Sequence, residues 1–524
     1  MKRLVPFGLM AVGVIYKLGW LAVNAVPFNG DEGIVALLAR HILQGERPTF
    51  FYGQAYLGAT DAWLVALSFS IFGESVWAIR LVQIALFAAF LLTSYLVAKR
   101  LGLTEWGARV ALVWLALPPT MLTLYTTATL GGYGETLVLG NVAILLADNV
   151  VRDACCVKRK WLILGIVAGF GLYTFPLILV YLVPIGLWLL IRRRTWIGYG
   201  LAMIGLIIGS APWWWALIQS GGRELAELAG AGVAGTLPGA MYFDTLGVRL
   251  LNFFVFGLTA WWGLRYPWSG TFVLPLAGAV VLAVYVGALL YAARRAKRPS
   301  TSLRFAQDAS PILWGMIGVL LITFLATPFG GDPSGRYFLP LYLPLSLFLA
   351  MLLQAIRNAK RTFVTLLLAG VIGYNVAGTA LAAAQPPGLT TQFDPVTRID
   401  HTFDQALIDF LLAHDETRGY TNYWVQTPIA FLSQERIITT AALPYHLDLG
   451  YTSRDDRYAP YTRVVAQADR AFYITTNHPP LNALIRDGLT RLKVSFKEEL
   501  IGTYQVFYGL SRKVTPQELG IGAQ

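Results

Sequence analysis

Long apolar segments separated by short basic clusters run through the first three quarters of the chain, and they constrain the fold more than any other feature. A helix needs about 20 apolar residues to cross a bilayer. Segments of this kind are predicted at 5–26, 75–98, 106–127, 134–151, 161–175, 176–191, 195–217, 272–293, 311–328, 337–356 and 362–384. Only 13% of the residues are charged and the mean hydropathy is +0.57, whereas a soluble protein carries about 25% charged residues. The chain is therefore predicted to be an all-α polytopic membrane bundle with about eleven transmembrane helices.

The net charge of +12 is explained by where the basic residues lie. They cluster at alternate loops: Lys2-Arg3, Lys99-Arg100, Lys158-Arg159-Lys160, Arg192-Arg193-Arg194, Arg294-Arg295 with Lys297-Arg298, and Lys360-Arg361. Because basic residues accumulate in cytoplasmic loops, this pattern places the N-terminus inside and the C-terminus outside a cell (inner) membrane. The charge therefore requires no nucleic acid partner.

Three local features bear on this topology. The segment 161–191 is too long for one ordinary span, and Pro176 can break it into two, which keeps every basic cluster on one side. The first segment has the basic start of a signal peptide, but it leads directly into a distinctive polar stretch, so we interpret it as a retained span. Cys155 and Cys156 fall in a predicted cytoplasmic loop, where neither a disulfide nor a zinc site is expected.

The composition changes near Gln385, which divides the chain into a membrane domain at 1–384 and an extracytoplasmic domain at 385–524. In the second domain, strand-like runs at 419–425, 436–441, 471–476 and 503–510 alternate with helix-like runs at 402–414, 455–468 and 480–492. This alternation predicts a small α/β domain. No glycine-rich loop joins a strand to a helix there, so no nucleotide site is predicted.

Two adjacent carboxylates, Asp31 and Glu32, stand where the first span ends, in a first outer loop at 27–74. Both acids and the nearby Asn29 suit the start of a helix, so capping is one interpretation. Glu135 lies early in an otherwise apolar span, where a carboxylate usually faces an internal cavity. The alternative interpretation is that Glu135 is a charged residue at the outer end of that helix. Either interpretation puts Glu135 at the same outer level as Asp31.

Two arginines are expected at this level as well. Arg80 lies early in the second span, and Arg336, followed by Tyr337, starts a later one; snorkelling to the interface is the alternative for both arginines. Carboxylates can accept a proton from a hydroxyl, and guanidinium groups bind phosphate with fork geometry. The acids and arginines together predict a site for a phosphate-bearing lipid and a polar acceptor.

A metal role is not assigned. His41 follows Asp31 on the same predicted helix, but it lacks partners for metal binding, so an interfacial position is favoured. Clustered carboxylates suit Mg²⁺ or Mn²⁺, and the cofactor requirement stays open.

The motifs "NGDEGIVALLARHIL", "FYGQAYLGATDAWLVALSFSIFGES" with "IRL" after it, and "GRYFLPLYLPL" occur in this order. Together they resemble bacterial members of glycosyltransferase family 39. These members are similar to protein O-mannosyltransferases and aminoarabinose transferases and share the GT-C membrane fold. The resemblance covers the chain in order, with the soluble tail outside.

The resemblance implies a polyprenyl-phosphate-sugar donor, carrying a hexose or pentose, bound at the outer membrane face. Asp31 matches the catalytic acid with Glu32 beside it, Glu135 matches a second acid, and Arg80, Arg336 and Tyr337 match positions that approach the lipid phosphate. Transfer would be a direct displacement at the sugar C1, with Asp31 as base and polyprenyl phosphate leaving. Many relatives carry a Lys-Pro run where this chain has "YLGATDAW", so that part of the phosphate site has no match here.

Other functions and acceptors stay open at this stage. A transporter or lipid flippase often has repeated halves and charged sites near the midplane, whereas this chain shows no repeat and its acids lie at the outer rim. A membrane-anchored sensor would leave Glu135 unexplained. The acceptor is a glycan, a lipid or a protein, and the sequence does not choose among them.

Overall fold

The computed structural model describes residues 4–152, 157–193, 195–222, 225, 245–296, 310–358, 360–451 and 453–522. Outside the described residues lie Cys155, Cys156 and three parts of the basic clusters: Lys2-Arg3, Arg194 and Lys297-Arg298. The predictions made for them therefore stay predictions.

The membrane part is helical, as predicted. Its helices are α1 (Val5–Ala22), α2 (Gly30–Leu43), α3 (Thr60–Phe72), α4 (Val76–Arg100), α5 (Glu105–Ala116), α6 (Thr120–Tyr125), α7 (Tyr133–Arg152), α8 (Val157–Thr174), α9 (Leu179–Arg192), α10 (Trp196–Gly209), α11 (Ala211–Ser220), α12 (Leu246–Leu251), α13 (Leu258–Trp261), α14 (Pro275–Ala296), α15 (Ser310–Ala326), α16 (Tyr342–Ile356) and α17 (Arg361–Ala383). A short hairpin of β1 (Phe50–Phe51) and β2 (Gln54–Gly58) separates α2 from α3.

Several predicted spans are interrupted in the structure. Six of the described helical segments are long and apolar enough to cross a membrane, or seven if the bent pair α10 and α11 counts as one span. The predicted break at Pro176 is present, whereas Pro118 and Pro119 divide the predicted span 106–127 into α5 and α6. The predicted span 195–217 is bent by 61° between α10 and α11. A multi-pass membrane protein is confirmed, and the count of eleven stays a prediction.

Helices α8 and α10 pack unusually closely because each carries a Gly-x-x-x-Gly pair. A Cβ atom at Gly165 would lie 2.1 Å from the Ala202 carbonyl oxygen, and one at Gly169 would lie 2.0 Å from the Leu206 oxygen. Gly205 and Gly209 make the reciprocal approaches from α10. Small residues at this spacing let membrane helices touch through their backbones. The tight pair forms one side of a groove described below.

The C-terminal part holds a five-stranded sheet. Its elements are α18 (Asp404–Ala413), β3 (Arg418–Thr421), α19 (Tyr423–Leu432), β4 (Ile438–Ala441), α20 (Ala459–Gln467), β5 (Phe472–Thr476), α21 (Pro479–Arg491), β6 (Lys497–Ile501) and β7 (Tyr504–Tyr508). The strand order is β4-β3-β5-β7-β6, with β4, β3 and β5 parallel and β7 and β6 antiparallel to their neighbours.

Two elements of this sheet region differ from the sequence prediction. The run predicted as a strand at 419–425 leaves the sheet after Thr421, because the Asn422 side chain accepts a hydrogen bond from the Trp424 amide at 3.0 Å and starts α19. Strand β6 was not predicted. It is a mostly exposed edge strand with the sequence "KEELI", which lacks the apolar alternation that marks a half-buried strand.

The C-terminal part rests directly on α2. The Thr427 hydroxyl donates to the Gly30 carbonyl at 2.7 Å, and a Cβ atom at Gly33 would lie 2.7 Å from the Pro428 nitrogen. The Arg40 guanidinium donates to the Phe431 carbonyl at 3.1 Å. Helix α19 therefore lies against the helix that carries Asp31 and Glu32, and this contact positions the site.

Candidate active site

Asp31 and Glu32 are adjacent in the chain, but their side chains enter different surroundings. The cap of α2 is Asn29, whose side chain accepts hydrogen bonds from the amides of Asp31 and Glu32 at 3.0 and 3.2 Å. Capping therefore does not occupy either carboxylate. Successive side chains on a helix point about 100° apart, so Asp31 reaches an open cavity and Glu32 reaches the interior.

The Asp31 carboxylate is held from the C-terminal part. Its Oδ1 accepts a hydrogen bond from the Tyr423 hydroxyl at 2.8 Å and lies 3.8 Å from Nη1 of Arg457. No described residue forms a hydrogen bond with Oδ2. One oxygen of Asp31 is thus fixed, and the other is available to a bound molecule.

Glu32 forms a buried ion pair with Arg80. Nη2 of Arg80 donates to Glu32 Oε2 at 2.5 Å and to the Val26 carbonyl at 3.2 Å, and Glu32 Oε1 accepts from the Thr129 amide at 3.0 Å. The Arg80 side chain is 2% exposed and that of Glu32 is 0% exposed. Burial raises the pKa of Glu32 to about 7, while the Arg80 charge opposes that rise. Arg80 therefore does not reach the cavity that Asp31 faces.

Glu135 lies in the same buried region, beside Asp61. Both Glu135 oxygens are buried, and the Asp61 carboxyl is the neighbouring acid. Asp61 accepts from the Thr129 hydroxyl at 2.6 Å and from the Gln83 amide at 3.1 Å, and burial raises its pKa. Thr129 thus joins the Glu32 and Asp61 contacts into one cluster.

Arg336 lies at the mouth of the cavity that Asp31 faces. It forms an ion pair with Asp332 at 2.6 Å, and its guanidinium lies 5.3 Å from the ring centre of Tyr337. The structure therefore brings Asp31 and Arg336 to one cavity and places Glu32, Arg80 and Glu135 in the protein interior.

This polar cavity measures about 570 Å³ and lies between the membrane part and the C-terminal part. Asp31, Asp332 and Arg336 line it from one side, and Gln392, Arg398, Trp424 and His446 are among the residues that line it from the other. Four lining side chains carry buried donors without a partner in the described part of the chain: Nε of Arg336, Oγ1 of Thr391, Nε of Arg398 and Nε1 of Trp424. Such walls suit an oxygen-rich ligand, because unpaired buried donors are costly.

A second, apolar groove of about 400 Å³ lies between α9, the α10–α11 bend and α15. Its walls include Leu177, Val180, Leu206, Trp213 and Phe324, with Tyr56 and Tyr337 at one end. Tyr337 lines this groove and its neighbour Arg336 lines the polar cavity. Consecutive residues of the chain therefore line the two spaces.

His41 lies at the contact between α2 and the C-terminal part. Its ring nitrogens lie 2.9 Å from the Tyr52 hydroxyl and 3.1 Å from Glu435 Oε1, and its ring stacks on Tyr458. Within the described ranges, no group of three or more His, Cys, Asp or Glu side chains is arranged to hold a metal ion.

Sequence reasoning missed several residues that the structure brings to these sites. Tyr423 and Arg457 contact Asp31 across 392 and 426 positions respectively, and no local pattern reports contacts of that range. Asp61 could have been identified from the sequence, because it is a carboxylate at the start of the apolar helix α3. Its neighbours Gln83 and Thr129 are ordinary polar residues in sequence.

Known proteins share part of this sequence and the fold of the chain. Residues 60–215 match the family model described as dolichyl-phosphate-mannose-protein mannosyltransferase. The resemblance recognised in the sequence is confirmed by this match over residues 60–215, and the structures below show that the chain has the GT-C fold.

Two solved structures illustrate the shared fold. ArnT from Cupriavidus metallidurans bound to undecaprenyl phosphate has a TM-score of 0.57 and 13% identity, over 95% of this chain and 97% of that one. The archaeal oligosaccharyltransferase AglB from Archaeoglobus fulgidus, in complex with an inhibitory peptide and a dolichol-phosphate, has a TM-score of 0.52 and 12% identity. That match covers 91% of this chain and 70% of AglB. Among curated proteins, no sequence matches the chain.

Proposed function

We propose that the protein transfers a sugar from a polyprenyl-phosphate donor to an acceptor at the outer face of the membrane, with Asp31 as the base. The observation that carries the proposal is that two consecutive residues line the two spaces, Arg336 the polar cavity and Tyr337 the apolar groove. A polyprenyl-phosphate sugar has the matching division into an apolar tail, an anionic phosphate and a polar ring. The similar structures of ArnT and AglB, which hold undecaprenyl phosphate and dolichol-phosphate, support the same donor class.

In this arrangement the prenyl tail lies in the apolar groove and the phosphate lies at Arg336. The Arg336 guanidinium exchanges its ion pair with Asp332 for the donor phosphate, which its fork geometry fits. Tyr337 lies at the boundary between tail and phosphate. The sugar then occupies the polar cavity, within reach of Asp31.

Transfer follows as a single displacement. The acceptor hydroxyl loses its proton to Oδ2 of Asp31, and its oxygen forms a bond to the sugar C1. The bond between C1 and the phosphate oxygen breaks, and polyprenyl phosphate leaves with the electron pair. Arg336 stabilises the charge that develops on the leaving phosphate.

Glu32, Arg80 and Glu135 are assigned supporting roles because they are buried away from the cavity. The Glu32–Arg80 ion pair and the Asp61–Glu135 pair bracket Thr129 and fix the loop at 126–132 beneath the site. The donor phosphate contact that the family resemblance implies for Arg80, Arg336 and Tyr337 is therefore assigned to Arg336 and Tyr337.

The proposal is tested by an assay of the purified protein in vesicles. Radiolabelled polyprenyl-phosphate hexoses and a polyprenyl-phosphate aminopentose are supplied singly with the membrane glycans, lipids and proteins of the source cells. Transfer of label to one acceptor fraction with one donor is expected. Absence of transfer from every donor, with a folded protein, contradicts the proposal.

Replacing Arg336 is expected to weaken donor binding. Charge-assisted contacts of this kind contribute about 1.5 to 3 kcal/mol, so Arg336→Ala should raise the KM for the lipid donor by about 10-fold to 100-fold. Arg336→Lys should recover only part of the loss, because an ammonium lacks the fork. Steady-state kinetics over a donor series measures the effect. The exposed Arg361 provides a control as Arg361→Ala, and an unchanged donor dependence in Arg336→Ala would remove Arg336 from the site.

The predicted topology places the C-terminal part outside the cell. With Cys155 and Cys156 replaced by serine, a cysteine at the exposed position Asp409 should react with a membrane-impermeant maleimide in intact cells. A cysteine at Asn358, next to the predicted cytoplasmic cluster Lys360-Arg361, should react only after lysis. The reverse labelling pattern would refute this orientation.

A further inference from the structure

The contacts around Asp31 assign a role to the C-terminal part, and this assignment rests on the proposed function. We propose that Tyr423 and Arg457 are positioning residues for sugar transfer: they hold Oδ1 of Asp31 so that Oδ2 faces the acceptor hydroxyl. The C-terminal part then contributes two residues to the active site in addition to covering it. Three observations carry this proposal.

The first is the isolation of the Tyr423 hydroxyl. The Tyr423 side chain is 1% exposed, and its hydroxyl forms its single hydrogen bond in the described part of the chain with Asp31, at 2.8 Å. Tyr423 is the first residue of α19, directly after the Asn422 cap, and α19 packs against α2. Both ends of this hydrogen bond are thus anchored on packed helices, which fixes the carboxylate plane.

The second observation is the placement of Arg457. Its guanidinium lies 4.1 Å from the ring centre of Tyr423 and its Nη1 lies 3.8 Å from Asp31 Oδ1. The arginine stem packs against the hairpin turn at Gly53, where a Cβ atom would come within 2.9 Å of it. Burial acts to lower the pKa of Arg457, but Tyr423 and Asp31 raise it overall. The arginine therefore supplies a fixed positive charge beside the carboxylate.

The third observation is that both contacts fall on the same oxygen. A carboxylate contacted at one oxygen keeps its other lone pairs for a ligand. Asp31 also lines the polar cavity, so the free oxygen and the proposed acceptor share one space. Without Tyr423 or Arg457 the carboxylate could rotate, and Oδ2 would no longer be held toward the acceptor.

The test uses the full-length protein in vesicles and the donor identified by the transfer assay. Tyr423→Phe keeps the ring beneath Arg457 and removes only the hydroxyl. We expect it to lower kcat about 10-fold and to leave the donor KM unchanged, because the donor tail and phosphate lie elsewhere. Arg457→Gln should lower kcat about 10-fold to 100-fold, and Arg457→Lys should restore part of that loss.

The matched control is Tyr458→Phe. Tyr458 lies in the same contact between the C-terminal part and α2, but its hydroxyl donates to Glu46 at 3.0 Å. Its kcat should equal that of the wild type. If Tyr458→Phe and Tyr423→Phe lose kcat equally, the effect is general damage to the contact and the positioning role is overturned.

A double-mutant cycle tests whether Tyr423 acts through Asp31. In the Asp31→Asn background, Tyr423→Phe should cause no further loss, because there is no base left to orient. Additive losses overturn the inference, as does an unchanged kcat in both Tyr423→Phe and Arg457→Gln with an active wild type. A wild-type protein that transfers no sugar overturns the proposed function and this inference with it, so the two failures are distinguishable.

Discussion

Replacing Asp31 by asparagine is expected to lower the turnover number by about 10²-fold to 10⁴-fold, the usual contribution of a general base. Asparagine preserves the size of the side chain and cannot take a proton. Helix α2 should be unaffected, since Asn29 and not Asp31 caps it. The Tyr423 hydroxyl can still donate to the amide oxygen, so the local contact is retained. Turnover of labelled donor by the purified variant is the measurement.

The control for this prediction is Asp409→Asn, which makes the same chemical change at an exposed position of α18. Its turnover should match that of the wild type. The Asp31→Asn protein must elute and melt like the wild type, so that lost activity reports lost chemistry. A well-folded Asp31→Asn protein with more than about a tenth of normal turnover would defeat the base assignment.

The largest effect on stability is expected at the buried ion pair of Arg80 and Glu32. Arg80→Met keeps an apolar stem of similar length and leaves the Glu32 carboxylate buried without its counter-charge. Removing one partner of a buried pair costs about 3 to 5 kcal/mol. The midpoint of thermal unfolding in detergent at pH 8 should therefore fall well below that of the wild type.

The same variant should show a defined pH dependence. Burial already raises the pKa of Glu32 from its ordinary value near 4.5 to about 7 with Arg80 present, and loss of Arg80 raises the pKa further. The folded variant then binds more protons than the unfolded chain, so its stability falls as pH rises. The gap between variant and wild type should widen from pH 6 to pH 8.

Two further variants make this prediction specific. Arg109→Ala breaks a partly exposed ion pair with Glu105 and should cost less than about 1 kcal/mol. Adding Glu32→Gln to Arg80→Met removes the uncompensated charge and should recover part of the loss. An Arg80→Met protein that melts like the wild type at pH 8 would show that the pair does not stabilise the fold.

Much of the membrane part could be predicted from the sequence, because apolar length and basic loops are local signals. The ends of α4, α7, α9 and α17 lie within a few residues of the predicted spans. The break at Pro176 was predicted from the excess length of its segment, whereas Pro118 and Pro119 lie within a run of ordinary span length. The predicted span that contains the bend between α10 and α11 is also of ordinary length, so its length did not indicate a bend.

The residues of the candidate site were predicted from the sequence, but their division between the cavity and the protein interior was not. The sequence predicts one depth in the membrane for the five residues Asp31, Glu32, Glu135, Arg80 and Arg336. It does not indicate which way their side chains point. The rotation of α2 about its axis decides what each side chain faces: Asp31 faces the cavity and Glu32 faces Arg80. Tyr423 and Arg457 could not be found, since the fold of the C-terminal part brings them to Asp31 from the far end of the chain.

The most direct test of sugar transfer follows the two halves of the donor separately. A polyprenyl-phosphate sugar labelled with one isotope in the sugar and another in the lipid is supplied to the protein in vesicles. We expect the labels to separate, with one polyprenyl phosphate released for each sugar that reaches the acceptor, and Asp31→Asn to lower both rates together by about 10²-fold to 10⁴-fold. Movement of the intact, doubly labelled donor across the membrane without separation of the labels would contradict it and would identify a lipid transporter instead.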